Sequence, residues 1–300
     1  MNALITGAFN WTEERISLLK QIGCNLTFIE REDGELNFNP EEIDAVICNW
    51  LFVHHNIDKF TNLKFIQLLS AGMDRVPLDY INSKQIKLFN ARGVYSVPMA
   101  EFAVCGVLQL YKDSRGFYEK QKNHIWQKNK RLFELYGKRV CVVGTGSVGS
   151  QVAKCFGAFT DEVYGVDLYP SENCLFKEIK GLDLLDNEIS LSDILVITLP
   201  LTEQTRNMFD KRRLSMMKKG SVLVNISRGG LVDEQALTEV LKDNLMGAVV
   251  DVFAQEPLNE DSELWNCSNL ILSPHNSFVS ENNEQRMWEI IYNNLAQFNL

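Results

Sequence analysis

The sequence predicts an α/β protein with two domains, each built on a parallel sheet covered by helices. Its 300 residues exceed the size at which a single hydrophobic core usually stops growing. Short apolar runs recur along the chain and are separated by segments of helical length, which is typical of alternating strands and helices. Together these observations favour two sheets of parallel strands over one large domain.

The apolar runs place the predicted strands. Four runs in the first half alternate with helix-like segments, and six runs in the second half predict a doubly wound parallel sheet. A long apolar helix is predicted over residues 100–111. The helical spacing of Met287, Ile291 and Leu295 predicts a last helix that packs back onto the first domain. The runs are residues 3–6, 26–29, 45–48 and 65–69, then 140–143, 163–166, 194–199, 222–226, 248–252 and 270–272.

Composition and charge disfavour several classes of function. A net charge of -9 makes nucleic acid and anionic membranes poor partners. The start of the chain lacks a basic leader, and the longest apolar stretches, such as residues 102–110, are too short to span a bilayer, so we expect a cytoplasmic protein. Seven cysteines without a C-x-x-C pair and four histidines without an H-x-x-x-H pair predict reduced thiols and no metal site.

A glycine-rich segment follows the first apolar run of the second half. Gly144-Thr145-Gly146-Ser147-Val148-Gly149 stands between that run and a segment that predicts a helix, which is the context of a dinucleotide-binding loop. There Gly144 permits a tight turn, Gly146 lets the backbone approach a pyrophosphate, and Gly149 lets the helix pack closely. Methyltransferases can share this pattern, so the loop alone does not name the chemistry.

An acidic residue ends the next apolar run. Asp167 lies 18 residues beyond Gly149, where a carboxylate would accept hydrogen bonds from the adenosine ribose and repel a 2′-phosphate. The loop and Asp167 together predict NAD as the cofactor, in preference to NADP. The alternative is a glycine turn followed by an ordinary strand-ending aspartate.

Three polar residues, Arg228, Glu256 and His275, each come just after one of the last three apolar runs. Because the carboxyl ends of parallel strands share one edge, we expect these side chains at the edge where open α/β sheets bind ligands. On a 2-oxo acid, Arg228 would hold the carboxylate and polarise the carbonyl, while His275 would exchange a proton with the carbonyl oxygen. Glu256 would hold the other ring nitrogen and favour the imidazolium. Taken singly, each of the three could equally be a turn, loop or structural residue.

At these positions the chain resembles the D-isomer-specific 2-hydroxyacid dehydrogenases, the family that includes phosphoglycerate, glyoxylate/hydroxypyruvate and D-lactate dehydrogenases. The likeness covers most of the chain and includes Asn225-Ile226-Ser227-Arg228-Gly229-Gly230 and Ser273-Pro274-His275. The segments that carry it are residues 68–74, 99–101, the glycine loop, 192–202, 225–233, 250–258 and 273–275.

The resemblance implies a flavodoxin-like substrate-binding domain made from both chain ends, residues 1–98 and 276–300. A Rossmann NAD-binding domain, residues 99–275, would be inserted into it. The implied reaction interconverts a 2-oxo acid and its D-2-hydroxy acid, with Arg228, Glu256 and His275 as the catalytic residues. Backbone N–H groups at Ala71 and Gly72 would bind the substrate carboxylate.

The resemblance also assigns contacts with NAD. Asp251 would meet the nicotinamide carboxamide, residues 226–228 would line the nicotinamide, and Leu199, Pro200 and Thr205 would lie on the adenine side. The full set of expected cofactor-binding residues is Gly144, Gly146, Ser147, Val148, Gly149, Asp167, Leu199, Pro200, Thr205, Ile226, Ser227, Arg228, Asp251 and His275.

One loop departs from the family pattern. Residues 49–55 carry no arginine where a phosphate-recognising member would have one, which disfavours 3-phosphoglycerate. Trp50, Leu51 and Phe52 would line an apolar pocket for a branched or aromatic 2-oxo acid, or else are packing residues. His54 and His55 are expected at the surface or at the rim of the site.

Two questions stay open at this point. The segment around Trp126 and residues 134–139 is similar to the part of the family that helps form a homodimer, and the alternative is a surface excursion. The family's terminal regulatory extension is not matched, so effector control through such a domain is not expected. The leading function is a dehydrogenase, and the alternative is an NAD(H)-sensing protein like the corepressors that resemble this family, since filled catalytic positions suit both.

Overall fold

The computed structural model describes residues 1–298, which form two compact units. The first unit comprises Met1–Tyr95 together with the segment from Ser280 onward, and the second unit comprises Ser96–Val279. The division lies a few residues from the domain boundaries that the resemblance implies. Each unit contains one parallel sheet with helices, and the predicted two-domain α/β fold class is confirmed.

The first unit carries a sheet with the flavodoxin-like strand order. In chain order its first elements are β1 (Asn2–Thr6), α1 (Glu13–Gln21), β2 (Asn25–Ile29), β3 (Ala45–Cys48), α2 (Leu51–His54), β4 (Phe65–Leu68), α3 (Leu78–Ser83) and β5 (Lys87–Phe89). The strands pair in the order β2-β1-β3-β4-β5, and every pair is parallel. The strand order reverses between β1 and β3, so the loops after these strands lie where ligands of such sheets bind.

The second unit carries a larger sheet with the dinucleotide-binding order. Its elements are α4 (Ser96–Tyr111), α5 (Ser114–Lys122), β6 (Val140–Val143), α6 (Ser147–Phe156), β7 (Val163–Asp167), β8 (Glu178–Gly181), α7 (Leu185–Leu191), β9 (Ile194–Ile197), α8 (Lys211–Met216), β10 (Val222–Asn225), α9 (Glu234–Asp243), β11 (Gly247–Val250) and β12 (Leu270–Leu272). The order is β12-β11-β10-β9-β6-β7-β8, with all pairs parallel. It reverses between β6 and β9, so the glycine loop after β6 lies at the switch point.

The last helix of the chain, α10 (Asn283–Phe298), belongs to the first unit. Met287, Ile291 and Leu295 are buried in the same cluster as Ile5 and Phe65 of the sheet. The predicted helix and its packing are therefore confirmed. This helix covers the first sheet with side chains from the opposite end of the chain.

Alternation along the buried strands separates the core of the second unit into two layers. Val140 and Val142 of β6 pack with residues of α4 and α6, whereas Cys141 and Val143 pack with residues of α7, α8 and α9. Successive side chains of a strand point to opposite faces, so both faces of the sheet are covered by helices. This arrangement leaves the carboxyl edge of the sheet for polar loops.

Two strands, β5 and β8, lie outside the predicted set. Each is the last strand at one end of its sheet and pairs with a single neighbour. Both carry charged and partly exposed side chains, such as Lys87 in β5 and Glu178 in β8. Edge strands do not need a continuous apolar run, because one side faces solvent.

A buried ion pair network braces the β8 edge. The Glu188 carboxylate, in α7, accepts hydrogen bonds from Lys180 Nζ at 2.9 Å and from Arg139 Nη2 at 2.6 Å. Burial raises the pKa of Glu188, but these two cations outweigh burial and hold the pKa below its usual value. Because a buried carboxylate without its cations is strongly destabilising, the pairs tie β8 to the helix layer.

Every helix within residues 1–298 is too short or too polar to cross a membrane. Within the same residues, no three His, Cys, Asp or Glu side chains cluster so as to hold a metal ion.

Candidate active site

The glycine loop forms an open cradle at the start of α6. Gly144 has φ +98°, and a Cβ there would lie 2.9 Å from the backbone carbon of Thr198. A Cβ on Gly146 would meet no heavy atom within 4 Å, so the space beside it is open. Gly149 is buried where α6 approaches the loop. Open space at the positive end of a ten-residue helix fits a pyrophosphate.

Asp167 is held beside this cradle. Its Oδ2 accepts hydrogen bonds from Thr145 N at 2.6 Å and from Thr145 Oγ1 at 3.0 Å, and its Oδ1 accepts from Tyr169 N at 3.0 Å. The carboxylate is partly exposed. The strand-ending acid predicted from sequence is thus fixed against the glycine loop, with a surface that a ribose can reach.

Some of the other predicted cofactor residues are partly exposed, and others lie in the core. The Ser147 hydroxyl lies 2.9 Å from the Ser96 hydroxyl, and Val148 is partly exposed. The side chains of Leu199 and Ile226 are buried in the core, so they could reach a cofactor only through their backbone.

The adenine-side loop is closed by its own hydrogen bonds. Thr205 is buried, its hydroxyl donates to Pro200 O at 2.7 Å, and it accepts from Thr202 N at 2.8 Å. Pro200 is exposed. Thr205 therefore shapes the loop, and Pro200 presents its surface.

Three neighbouring strands position the predicted catalytic residues. Asn225 of β10 lies opposite Val250 of β11, which lies opposite Leu272 of β12. The loops that follow these strands carry Arg228, Glu256 and His275 and leave the sheet at one edge. The three residues therefore follow the carboxyl ends of neighbouring strands, as the sequence predicts.

Glu256 and His275 contact each other directly. Glu256 Oε2 lies 2.8 Å from His275 Nδ1, and Glu256 Oε1 accepts from Phe253 N at 3.0 Å. Both side chains are about one third exposed, at 36% for Glu256 and 38% for His275. Because the carboxylate holds Nδ1, the Nε2 atom is the one left to exchange a proton with a substrate.

Arg228 is braced by its own loop. Its Nη1 donates to Ser227 O at 2.8 Å, and its carbonyl accepts from Asn225 Nδ2 at 3.1 Å. The next residue, Gly229, has no room for a side chain, because a Cβ would lie 1.9 Å from the carbonyl carbon of Phe253. The Arg228 loop therefore touches the segment that leads to Glu256.

Asp251 has a position that the sequence did not indicate. Its carboxylate is fully buried and accepts hydrogen bonds from Ser273 Oγ, from Asn276 N at 2.7 Å and from Ser277 N at 3.0 Å. Its carbonyl accepts from His275 N at 2.7 Å. Asp251 thus holds the histidine loop by hydrogen bonds, and the nicotinamide contact that the resemblance implies stays a prediction.

Asn225 was missed by sequence reasoning. It is buried, and its Oδ1 accepts from Ser227 N at 3.2 Å and from Ser227 Oγ at 3.0 Å. An asparagine two residues before a serine at a strand end is the signal of such a side-chain turn. This turn sets the backbone from which Arg228 projects.

The first unit presents the loops expected to bind substrate. Ala71 O accepts from Asn90 Nδ2 at 2.7 Å, and Gly72 O accepts from Ser70 Oγ at 2.9 Å. Both residues lie in the loop after β4. The bond to Ala71 O holds the peptide unit that carries the N–H group of Gly72. A bond from Ala91 N to Ser70 O, at 2.9 Å, holds the unit that carries the N–H group of Ala71.

For Leu51 and Phe52, the structure favours the packing alternative over the apolar pocket. Leu51 is fully buried and packs in the core, so it cannot line a pocket. Phe52 is partly buried and stacks edge-on against Phe60, with ring centres 5.6 Å apart. Trp50 alone is exposed, at 44%, and its ring carries the guanidinium of Arg75 at 3.6 Å. Leu51 and Phe52 differ from Trp50 because their side chains pack against the core of the first unit.

The two neighbouring histidines also differ. His54 is exposed, as predicted, whereas His55 is partly buried and its Nε2 atom is buried without a hydrogen-bond partner.

Comparison with known proteins identifies the family. The profile described as "D-isomer specific 2-hydroxyacid dehydrogenase, NAD binding domain" matches residues 104–277. A glyoxylate reductase of Thermofilum pendens is 31% identical over 94% of this chain and 87% of its own length. A D-3-phosphoglycerate dehydrogenase of Methanocaldococcus jannaschii is 32% identical over 93% of this chain, which spans 54% of that relative's length.

A solved structure agrees with these relatives. The D-isomer specific 2-hydroxyacid dehydrogenase of Xanthobacter autotrophicus, in complex with NADPH and MES, superposes with a TM-score of 0.80 at 25% identity, covering 99% of this chain and 95% of that one. The fold and the site define an NAD(H)-binding oxidoreductase. The chain belongs to the D-isomer-specific 2-hydroxyacid dehydrogenase family, and its class is that of an NAD-dependent D-2-hydroxyacid dehydrogenase.

The position of Asp251 leads to a prediction. Asp251→Asn places an amide NH2 among groups that donate hydrogen bonds, so the histidine loop shifts and kcat falls by about 100-fold. Ser273→Ala, which leaves both backbone N–H bonds in place, gives a smaller loss. The measurement is kcat at saturating NADH and 2-oxo acid, with thermal unfolding to monitor folding. A variant that keeps its kcat and raises only the KM for NADH would instead support the nicotinamide contact predicted from sequence.

Proposed function

We propose that the chain reversibly reduces a small 2-oxo acid with NADH to its D-2-hydroxy acid. The observation that carries the proposal is the contact between Glu256 and His275, on the sheet edge that also carries Arg228. The glycine loop at the switch point of the same sheet supplies a site for the dinucleotide.

In the proposed reaction, each side chain has one task. NADH, when bound, supplies the hydride that adds to the C2 carbon. His275 Nε2 donates a proton to the C2 oxygen, so the carbonyl becomes a hydroxyl, and in the reverse direction Nε2 removes that proton. Glu256 orients the ring and stabilises its protonated form. Arg228 binds the substrate carboxylate and polarises the carbonyl, with a planar set of donors suited to both.

We also assign a role in substrate binding to the first unit. There the N–H groups of Ala71 and Gly72 would donate hydrogen bonds to the substrate carboxylate. The names of two relatives, a glyoxylate reductase and a D-3-phosphoglycerate dehydrogenase, support a short 2-oxo or 2-hydroxy acid as the proposed substrate.

His275→Asn tests the acid/base role. The variant is expected to lower kcat by about 10²- to 10⁴-fold, because proton transfer is lost, while NADH affinity is nearly unchanged. The assay follows NADH absorbance with glyoxylate, pyruvate, hydroxypyruvate, 2-oxoisocaproate and phenylpyruvate, and fluorescence titration gives NADH affinity. His124→Asn is the matched control, because His124 also has a left-handed backbone (φ 55°, against 51° for His275) and asparagine tolerates it.

The same assay separates an enzyme from an NAD(H)-sensing protein. Tight NADH binding with no turnover of any acid would favour the sensor. An unchanged kcat in His275→Asn would contradict the role given to the histidine.

Asp167 supports a preference for NADH over NADPH. A 2′-phosphate would lie against a carboxylate fixed by Thr145 and Tyr169, so kcat/KM with NADH should exceed that with NADPH by at least about tenfold. Asp167→Ser should lower the ratio of kcat/KM with NADH to kcat/KM with NADPH. Asp161→Ser removes the same charge before β7, at the opposite end of the strand, and should leave the ratio unchanged. A wild-type preference for NADPH would refute the assignment.

We also propose that two copies associate through the surface around α5. We call the exposed part of residues 117–136 the arm surface. It carries several large apolar side chains close together in sequence, which is typical of an interaction surface. A second copy is the proposed occupant, since the segment around Trp126 is the one that resembles the dimer-forming part of the family. The exposed members are Phe117, Tyr118, Ile125, Trp126, Leu132, Phe133 and Tyr136.

Trp126→Ser tests the arm surface. Trp126 is fully exposed, so its loss should leave the monomer folded while weakening the dimer, with Kd raised roughly 30-fold if the indole is an interface anchor. Sedimentation velocity over a range of protein concentrations measures the effect. Trp265→Ser, at another exposed tryptophan of the second unit, is the control and should not change association. A wild-type chain that stays monomeric would contradict the proposal.

A further inference from the structure

A cationic side chain reaches the substrate-side loop of the first unit from another part of the sequence. Residues 49–52 follow β3 and contain no arginine, but Arg75 extends to them from the loop after β4. Its guanidinium carbon lies 3.6 Å from the centre of the Trp50 ring, and its Nη1 donates to Asn49 Oδ1 at 2.6 Å. Arg75 is partly buried, so both contacts restrict where its charge can lie.

The loop beneath Arg75 is itself braced by an acidic residue. Glu32 Oε1 accepts from Asn49 N at 2.7 Å and from Thr6 Oγ1 at 2.6 Å, and Glu32 Oε2 accepts from Trp50 N. The carboxylate therefore joins the end of β1 to the loops after β2 and β3. Because its oxygens hold this backbone, Trp50 is a fixed platform for the guanidinium.

The location is one where a sheet of this topology binds ligands. β3 and β4 are parallel neighbours, with Cys48 opposite Leu68, so the loops after them share the carboxyl edge. β3 also lies at the point where the strand order reverses. Arg75 belongs to the same loop as Ala71 and Gly72, the proposed contacts of the substrate carboxylate.

The chemistry of this group suits an anion. Stacking on Trp50 uses the flat face of the guanidinium, whereas its N–H donors lie in the plane and match the spacing of carboxylate, sulfonate or phosphate oxygens. An apolar pocket at this loop is disfavoured, because Leu51 is buried in the core and Phe52 packs against Phe60. What this loop presents is an aromatic ring with a permanent positive charge on it.

We infer that Arg75 is a specificity-determining residue, which together with Trp50 and Asn49 binds a second anionic group of the substrate. The substrate class is then a 2-oxo acid that carries a carboxylate, sulfonate or phosphate beyond the oxo carbon. The inference rests on the proposed function, because it names the substrate class of that reaction. The second anion takes no part in hydride or proton transfer.

Matched substrates test the inference. Oxaloacetate differs from pyruvate by one carboxylate, and the wild-type chain should turn it over with the higher kcat/KM. Arg75→Gln should lower the ratio of kcat/KM for oxaloacetate to that for pyruvate by roughly 10- to 100-fold, since hydrogen bonds to a charged group are lost, while pyruvate is little affected. Arg75→Lys, which keeps the charge without the planar donors, should recover part of the ratio.

Two further arms sharpen the result. Comparing 3-sulfopyruvate and 3-phosphohydroxypyruvate with oxaloacetate shows which anion the site prefers. Lys84→Gln is the control, because Lys84 also lies over an aromatic ring, 5.8 Å from the centre of Tyr80, but precedes β5 at the amino edge of the sheet. It should leave every ratio unchanged.

The outcomes separate the inference from the proposed function. Turnover with a preference for pyruvate, or a ratio that Arg75→Gln does not change, overturns the inference and leaves the proposed function standing. If no acid is turned over, the proposed function fails, and thermal unfolding then decides the inference. If oxaloacetate raises the unfolding temperature of the wild-type chain but not that of Arg75→Gln, the anion site is upheld. If oxaloacetate stabilises both proteins equally, or neither, the anion site is overturned.

Discussion

The sheet edge that carries Arg228, Glu256 and His275 depends on the register of three parallel strands. In β10, Val222 and Val224 pack in one core layer and Leu223 packs in the other, so a shift by one residue would exchange the two faces. Hydrophobic packing therefore fixes the strand, and its pairing with β11 and β12 fixes where each following loop begins. Burial of the apolar strand residues therefore determines where the polar loop residues Arg228, Glu256 and His275 lie.

The buried carboxylate of Asp251 converts this register into side-chain geometry. A buried charge must be satisfied by hydrogen bonds, and its donors come from the segment that surrounds His275. The same bonds support the left-handed backbone of His275, which costs about 1 kcal/mol or more outside glycine. The same hydrogen bonds therefore satisfy the buried Asp251 and hold the backbone of His275. Sequence patterns do not reveal such a contact.

The parts that could be predicted are those determined locally. Apolar runs marked the buried strands, and glycine spacing marked the dinucleotide loop, because both depend on neighbours in the chain. The edge strands β5 and β8 escaped notice since they pair on one side only. The pocket and packing alternatives for Leu51 stayed open at the level of sequence, because a short apolar run does not reveal which of its residues face the core. Arg75 was missed for a related reason: its partners Asn49 and Trp50 are distant in sequence and are brought near by strand pairing.

The two sets of functional loops differ in what holds them. Around Arg228 the backbones of Gly229 and Phe253 are so close that no side chain fits between them, so the loops that carry Arg228 and Glu256 have little freedom to vary. Around Trp50 the loop is held by side chains, with Glu32 beneath it and Arg75 above. Replacing one of those side chains changes charge and shape at that loop without moving a buried backbone. Under the proposed function, substrate choice can therefore change by single substitutions in the first unit, while the contact between Glu256 and His275 in the second unit is kept.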